Sequence, residues 1–513
     1  MSTPVIGIDL GTTNSVVAYA DEAGLVTVIT DESGDRIIPS VVHFEQDGNV
    51  VVGRLARDYA KVEPQRVARI FKRGMGTPTF LKNGQPFEVD DKAWTPEELS
   101  SLILKKLKNM AEQHFGGPVS QAVITVPHYF GEPERAATRS AGEIAGLEVL
   151  QIVNEPTAAA IVHGVDNRPD PGRLLVFDLG GGTFDVTIMR YGEGGETEVI
   201  ATSGDRELGG ADFDEAILER MIEVAQQETG QDLTEDGWTL NAATVLAEEI
   251  KQELSTRESA TRPLPVSGKP VMFTLSRGEF EGLIEERIEL VEDAILNALD
   301  RAEMKGSDVD DVLMVGGSSR IPVFQEMVER ITGSKPTLTK NLDEDVARGA
   351  ALLGAKLGDS LDPRSELAQR PKPVDAASHA LGITLLESEQ STQLINQVVI
   401  PDGTPIPHSS THEFAAASEG QREVELVLNE GSDRDLDFVR ELGKSSGQLA
   451  EPVHRGHPLR CEIQYTADQL IDVRLYDGVS GQLLTELSVE HKGLLSDRER
   501  ADAREFLERA EVS

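Results

Sequence analysis

Two segments far apart in the chain carry the same set of reactive residues. Asp9, Gly11, Thr12 and Thr13 follow one strand-like apolar run, and Asp178, Gly180, Gly181, Gly182, Thr183 and Asp185 belong to another. Each places an aspartate just before a turn of glycine and threonine. Glycine permits close backbone approach and positive φ, so turn N–H groups can point at phosphate oxygens. Threonine hydroxyls add donors. The aspartates repel phosphate, but they can hold Mg²⁺ through its waters and orient an attacking water. Two such hairpins facing each other would clamp a polyphosphate with its metal. One copy alone would read as an ordinary glycine hairpin; two copies with aspartate in the same place point to phosphoryl chemistry. A third turn, Gly316, Gly317 and Ser318, links the apolar run Val312–Val315 to a helical stretch opened by Pro322. Strand, Gly-Gly and helix in succession suit backbone contact with a ribose or phosphate.

The elements that must position these turns are legible in outline. Val5–Ile8 and Val16–Tyr19 read as strands around the first turn. Thr95–Glu98 is a capping box with Pro96 at the first helical position, and Leu99, Leu102, Ile103, Leu107 and Met110 continue as a helical stripe. Ser276–Glu279 is a second box, followed from Phe280 to Leu299 by apolar residues at helical spacing over about six turns. Strands alternating with helices predict an α/β layered architecture over residues 1–360. The polar stretch 361–377, with Pro363, Pro371 and Pro373, reads as a linker. Beyond it, alternation such as Val424, Leu426 and Leu428 against Glu423 and Glu425, with turn signals at Asp402-Gly403 and Asp477-Gly478, predicts a mainly antiparallel β domain over 378–490. Residues 491–513 read as a short charged helix.

Composition bounds the chemistry further. The chain has 513 residues and a formal net charge of −40, which argues against electrostatic binding to nucleic acid or an anionic membrane. Hydrophobic residues make up 39%, enough for real cores. The single cysteine, Cys461, excludes an internal disulfide framework and a multi-cysteine zinc site. No export signal and no apolar run of about 18 residues is present, so a cytoplasmic location is expected. A P-loop, a Gly-x-Gly-x-x-Gly fingerprint, a His-Glu-x-x-His motif and a nucleophile elbow are all absent.

The stretches Gly7–Ser15, Ala122–Pro127, Val153–Ala160, Asp178–Asp185, Leu208–Asp214 and Val315–Pro322 resemble the DnaK-type heat-shock protein 70 chaperones, members of the actin-like ATPase superfamily. The resemblance runs from about Val5 to Leu357, and Phe71–Gly76 is most similar to the short HscC-type bacterial branch. It implies an α/β, actin-like (ribonuclease H-like) two-lobed ATPase domain followed by a substrate-binding β-sandwich. ATP or ADP and Mg²⁺ are the implied cofactors, with K⁺ a candidate further ion. Carried over by position, Asp9, Asp178 and Asp185 would surround Mg²⁺ and the attacking water, with Glu155 helping to place that water. Lys72 would stabilise charge on the γ-phosphate. Gly11, Thr12, Thr13, Gly180, Gly181, Gly182 and Thr183 would hold phosphates, and Gly209 and Gly210 would approach the nucleotide. Glu248, Lys251 and Ser255, with Gly316, Gly317, Ser318, Arg320 and Asp343, match the adenosine-contacting positions. Pro127 and Arg135 match a proline switch and its arginine, which pass the nucleotide state outward. Without the resemblance, Lys72 would be read as a surface residue and Glu248 and Lys251 as a solvated helix face.

In the β domain, Leu381–Ile383, Ile406-Pro407, Phe414 and Gln421–Leu428 follow the pattern of the family's peptide-binding sandwich. Ile383, Leu386, Phe414, Ala417, Val424 and Leu426 would then line or arch over a groove for extended hydrophobic peptides; read alone, they are sandwich core. The implied partners are unfolded or extended peptide segments, a J-domain co-chaperone and a nucleotide exchange factor. Three departures stand out. The linker equivalent, Ala368–Asp375, lacks a leucine-rich apolar run, which bears on interdomain coupling. The helical lid is expected to be missing, which predicts weak, fast-exchanging peptide binding. Gln151 stands where the family usually has an arginine at the co-chaperone contact. The leading expectation is an ATP-hydrolysing chaperone. The alternative is a nucleotide-gated regulator or scaffold with weakened coupling. A small-molecule kinase of the same superfamily is the third reading, against which stand the separate β domain and the segment Asn154–Thr157.

Overall fold

In a computed structural model, the chain is described over residues 5–513 apart from 61, 83, 164–170, 193–196, 236, 267–270, 339–340, 359, 366–367, 369–374, 389–390, 467–469 and 490–494. The two Asp–Gly–Thr segments are the tips of two hairpins that open two similar sheets. In the first lobe, β1 (Val5–Leu10) and β2 (Asn14–Ala20) pair antiparallel, with β3 (Val26–Val28) beyond them. A small antiparallel sheet follows, formed by β4 (Val41–Phe44), β5 (Val50–Val52) and β6 (Val67–Arg69), with β5 and β6 at its edges. β7 (Gln121–Val126) then runs parallel to β1, and β8 (Glu148–Asn154) parallel to β7, giving the order β8-β7-β1-β2-β3.

The second lobe repeats this plan. β9 (Gly172–Leu179), β10 (Phe184–Tyr191) and β11 (Thr197–Asp205) form an antiparallel run. β12 (Asp311–Val315) and β13 (Thr337–Leu338) add in parallel, for the order β11-β10-β9-β12-β13. The repeat extends to register, since Asp9 and Asp178 are each the last residue but one of their strand. Apart from these aspartates and the exposed Arg173 near the start of β9, both strands are apolar and nearly wholly buried, as expected of strands covered on both faces.

Helices cover the sheets. α1 (Pro96–Phe115) starts at the capping box read from the sequence, with Glu98 N donating to Thr95 Oγ1 at 3.1 Å and Thr95 N to Glu98 Oε2 at 3.0 Å. α2 (Glu132–Ile144) and α3 (Glu155–Val162) complete the first lobe, and α4 (Gly210–Thr229) and α5 (Gly237–Leu254) belong to the second. The long stripe from Phe280 is not one helix: it is divided at Ile284 (φ −111°) into Arg277–Leu283 and Glu285–Arg301. α6 (Asp345–Leu357) crosses α3 between the two sheets. A Cβ on Gly349 would lie 1.8 Å from Ala158 O, so only glycine permits this crossing.

The C-terminal part contains two four-stranded antiparallel sheets. One has the order β15-β14-β17-β18, from β14 (Leu381–Leu386), β15 (Leu394–Ile400), β17 (Gln421–Glu430) and β18 (Arg440–Val453). The other has the order β16-β19-β20-β21, from β16 (His408–Ala415), β19 (Pro458–Tyr465), β20 (Ile471–Asp477) and β21 (Leu483–Val489). Their inward residues, including Leu381, Leu428, Cys461 and Val473, share one core. Linker residues 369–374 lie outside the described residues. After them, Asp375–Ala376 pairs with Pro405–Ile406, and Ala376 is buried among Leu174, Met189 and Val199 of the second lobe.

The charged C-terminal helix does not pack on the sandwich that precedes it. α7 (Asp497–Arg509) lies on α1 and α2, and Leu495, Ala503, Leu507 and Val512 join the core of the first lobe. Its sequence is mostly charged, yet Ala503, Phe506, Leu507 and Ala510 fall at i, i+3, i+4 and i+7, which gives one narrow apolar face.

Candidate active site

The two hairpin tips face each other. One chamber between the lobes is lined by Asp9, Gly11, Thr12, Thr13, Lys72, Glu155, Asp178, Gly180, Gly181, Thr183, Gly316, Gly317 and Asp343. The tips touch: a Cβ on Gly181 would sit 1.7 Å from Thr13 Oγ1, and one on Gly182 would sit 2.4 Å from Thr12 Cγ2. The second tip is closed by Gly180 N donating to Thr183 O at 3.0 Å. Thr13 Oγ1 is buried without a hydrogen-bond partner among the described residues, a donor held ready at the chamber wall.

Carboxyls crowd the floor. Asp178 and Asp185 are paired in register across β9 and β10. Thr125 Oγ1, on β7, donates to Asp9 Oδ1 at 3.1 Å. Glu155 begins α3, and its Oε1 accepts from Lys72 Nζ at 2.8 Å in a buried ion pair. Four carboxyls thus surround one ammonium. Burial pushes the Asp9 carboxyl up to about 7, with Glu155 adding to the rise and Lys72 opposing it. Burial and the neighbouring Glu155 also hold Asp178 and Asp185 well above the usual carboxylate range. Such crowding is unfavourable as it stands, and a cation among these groups would relieve it.

The remaining positions surround this chamber. Gly210 N donates to Gly180 O at 3.0 Å, and a Cβ on Gly209 would lie 2.6 Å from Gly182 N, which locks the start of α4 against the second tip. Ser318 Oγ donates to Gly180 O at 2.9 Å. Arg320 pairs with Asp343 at 2.6 Å on the rim. Glu248 and Lys251 line a wider outer cleft that shares Thr12, Thr13 and Gly181 with the chamber. Lys251 is held there by Asp214 at 2.9 Å and Gly210 O at 2.7 Å. Ser255 lines neither space; its hydroxyl donates back to Lys251 O at 3.3 Å.

Several contributors escaped the sequence reading. Arg73 reaches across the cleft, donating from Nε to Gly182 O at 2.8 Å and pairing with Asp212 at 2.5 Å. Its adjacency to Lys72 was the available signal. The Tyr129 hydroxyl is driven far above its ordinary value by burial and by Asp185 and Glu155. Nothing local marked Tyr129.

Pro127 and Arg135 lie where the first lobe meets the sandwich. Phe130 N donates to Pro127 O at 3.2 Å, and Arg135 Nε donates to Phe130 O at 2.9 Å. Arg135 also donates to Asn154 Oδ1 and, at 2.9 Å, to Ser378 Oγ. His379 Nε2 donates to Tyr129 O at 2.8 Å, and Glu430 Oε1 accepts from Glu132 N at 3.1 Å. Of the six groove positions, Ile383, Val424 and Leu426 meet in the sandwich core. Leu386 and Phe414 are half-buried, and Ala417 is exposed.

A family model described as "Hsp70 protein" matches residues 5–509. "Chaperone protein DnaK" of Thermotoga petrophila is 38% identical over 489 residues, covering 93% of this chain and 79% of that protein. The protein of the same name from Thermotoga maritima matches to the same extent. That of Thermosipho africanus is 39% identical over 434 residues, covering 83% of this chain and 70% of the relative.

Proposed function

The chain belongs to the Hsp70 family, ATP-hydrolysing chaperones, and on that premise we propose that the chamber between its lobes is where ATP is cleaved. The observation that carries this reading is the set of four carboxyls around one ammonium, enclosed by two touching glycine–threonine tips. The residues suit Mg²⁺: the excess buried negative charge calls for a cation, and an unpartnered Thr13 hydroxyl faces the same space. Among the described residues no three carboxylate, imidazole or thiol groups form a cage for a bare metal. Asp9, Asp178 and Asp185 would therefore hold the ion through water, as Mg²⁺ prefers. When bound, it neutralises phosphate charge. K⁺ is a candidate second ion at the same carboxyl-rich floor.

Thr12, Thr13, Thr183 and the N–H groups of Gly11, Gly181 and Gly182 donate to phosphate oxygens in this reading, while Gly180, whose N–H closes the tip onto Thr183 O, shapes the turn that presents them. Asp9, Asp185 and Glu155 orient a water whose oxygen bonds to the γ-phosphorus while the bridge to the β-phosphate breaks. The water's proton passes to a carboxylate. Lys72, freed from Glu155, stabilises charge on the transferring group. Such catalysis is mostly positioning and electrostatics. Gly209, Gly210, Glu248, Lys251, Ser255, Gly316, Gly317, Ser318, Arg320 and Asp343 would hold the nucleoside.

The unit boundaries proposed are 1–360 for the ATPase and 378–490 for the sandwich. An extended apolar peptide would be held by Leu386, Phe414 and Ala417, with Ile383, Val424 and Leu426 supporting them from the core. A J-domain partner and an exchange factor complete the proposed cycle, with half-buried Gln151 on β8 altering the former contact. The working compartment proposed is the cytoplasm; among the described residues no helix is long and apolar enough to cross a membrane.

The deciding experiment is single-turnover ATP hydrolysis by the full chain, with and without an extended apolar peptide. Faster hydrolysis with peptide supports the coupled cycle. Hydrolysis that ignores peptide would move the assignment to a nucleotide-gated regulator.

A further inference from the structure

The tail binds a different unit from the one that precedes it in the chain. After β21 ends at Val489 in the sandwich, residues 495–513 lie on the first lobe. Phe506 packs edge-on to Trp94, ring centres 5.2 Å apart, and Arg504 donates to Glu143 O at 2.8 Å. Beyond α7 the backbone becomes a strand. Val50 N donates to Glu511 O at 3.0 Å, Ser513 N to Val50 O at 3.0 Å, and Val52 N to Ser513 O at 2.9 Å. This is parallel pairing, with Val50 opposite Val512, on the free edge of β5. Asn49 and Asn109 fix the added strand, accepting from Glu511 N at 3.1 Å and donating to Val512 O at 3.3 Å.

We propose that the β5 edge and the α1–α2 seam form a binding site for a helix-plus-strand peptide, and that residues 495–513 occupy it in cis and leave it as a unit. Three features favour exchange over permanent integration. The strand part is an addition to a complete three-stranded sheet, the geometry by which sheet edges capture extended peptides. The helix part is anchored by few apolar side chains, and most of its charged residues are exposed. The tail is also tethered to the sandwich: Val489 to Leu495 spans at most about 20 Å. Any larger separation of the sandwich from the first lobe must therefore strip the tail from its site. The recognised chemistry is an amphipathic helix followed by an extended segment with an aliphatic side chain at the position of Val512. The inference concerns a surface apart from the nucleotide chamber and does not depend on the roles assigned there.

The test uses the full chain carrying Trp238→Phe, which leaves Trp94 as the sole tryptophan. In this background Leu507→Asp with Val512→Asp should displace the tail. Amide exchange at Val50 and Val52 should then accelerate by about tenfold or more, and Trp94 emission should shift to the red. A labelled synthetic peptide of residues 495–513 should bind this variant. It should bind the chain with an intact tail about tenfold more weakly or less, because the tethered copy competes at high effective concentration. The same peptide carrying Val512→Asp should fail to bind. Absence of peptide binding by the variant, with circular dichroism and ATP turnover retained, overturns the proposal. So does equal binding to both chains. Should the double variant misfold, Val512→Asp alone puts a charge at the buried strand position and leaves the helix untouched; unchanged exchange at Val50 and Val52, whose N–H groups donate to Glu511 O and Ser513 O, overturns the proposal.

Discussion

The Arg135 guanidinium donates to Ser378 Oγ at 2.9 Å. The same nitrogen also donates to Asn154 Oδ1. Asn154 is the N-cap of α3, whose first residue is Glu155, and Ser378 leads into β14 of the sandwich. One buried nitrogen therefore touches both the side chain of the residue before Glu155 and the entry to the other unit. A shift at either end alters the acceptors of a cation that has been taken out of water, and such groups tolerate lost partners badly.

Ser378→Ala tests this link with little structural disturbance. It removes one hydrogen bond, worth about 0.5–1.5 kcal/mol. Basal ATP hydrolysis should stay unchanged, since Ser378 lies outside the chamber. The acceleration by peptide should fall roughly two- to tenfold, the population shift that such an energy produces. Peptide titration of single-turnover rates measures it, and full stimulation in the variant would remove Ser378 from the coupling path.

Lys72→Ala should lower the single-turnover rate by about 10²–10³, the usual cost of removing one preorganised donor to a developing charge. It also leaves Glu155 buried without its ion-pair partner, so thermal stability should fall too. Lys72→Arg should recover stability better than rate, because a planar guanidinium does not place its charge where a compact ammonium does. Comparing melting temperature with single-turnover rate for the two variants separates the effects.

Glu430 supplies a helix cap across the interface. The N-cap of α2 is Gly131, which has no side chain, and the Glu430 carboxylate accepts from Glu132 N in its place. A Cβ on Gly131 would lie 2.6 Å from Glu430 Oε2, so the glycine makes room for this carboxylate. Glu430→Ala should loosen docking of the sandwich by about 1 kcal/mol, the typical worth of a cap. Glu430→Gln, which keeps an acceptor oxygen, should lose less. Energy transfer between dyes on the lobe and the sandwich, titrated with ATP, reads the docked fraction directly.

The two facing tips of the chamber were legible in the sequence because their determinants are local, whereas Lys72 and Glu155 were expected there only through the family resemblance. An aspartate, a glycine turn and threonines fall within a few residues, and the strand pattern around them fixes where they point. The interdomain contacts were not legible. Glu430 and Ser378 act on α2 and Arg135 only because two units meet, and no short-range pattern encodes that meeting. The groove residues fall between these cases. Alternation along β17 turns Val424 and Leu426 to one face, but core and ligand-facing positions share that period. The tail reads as a short charged helix, and the spacing of Ala503, Phe506, Leu507 and Ala510 gives that helix one face to bury. What the spacing could not supply was its target, the first lobe rather than the neighbouring sandwich.

That seam between tail and lobe contains a titrating group. Glu97, on α1, is buried, and burial pushes its carboxyl up to about 7. Ser140 on α2 and Arg500 on the tail oppose the rise, Glu98 adds to it, and the backbone of Leu495 on the tail opposes it. The unfolded value is the ordinary one, near 4.5. Between these values the folded form holds the proton that the unfolded form has lost, so stability falls as pH rises through the window and levels off above about 7. Glu97→Gln is neutral throughout and removes this dependence. The variant should therefore gain on the natural chain by up to about 3 kcal/mol between pH 5 and pH 8, the energy of a shift of this size. The urea midpoint of Trp94 fluorescence, in the Trp238→Phe background, measures the difference at the two pH values, and because Trp94 lies beside Phe506 it reports on this seam. A gap between variant and natural chain that is the same at pH 5 and pH 8 would mean that Glu97 stays ionised across the range, held so by Arg500 despite its burial.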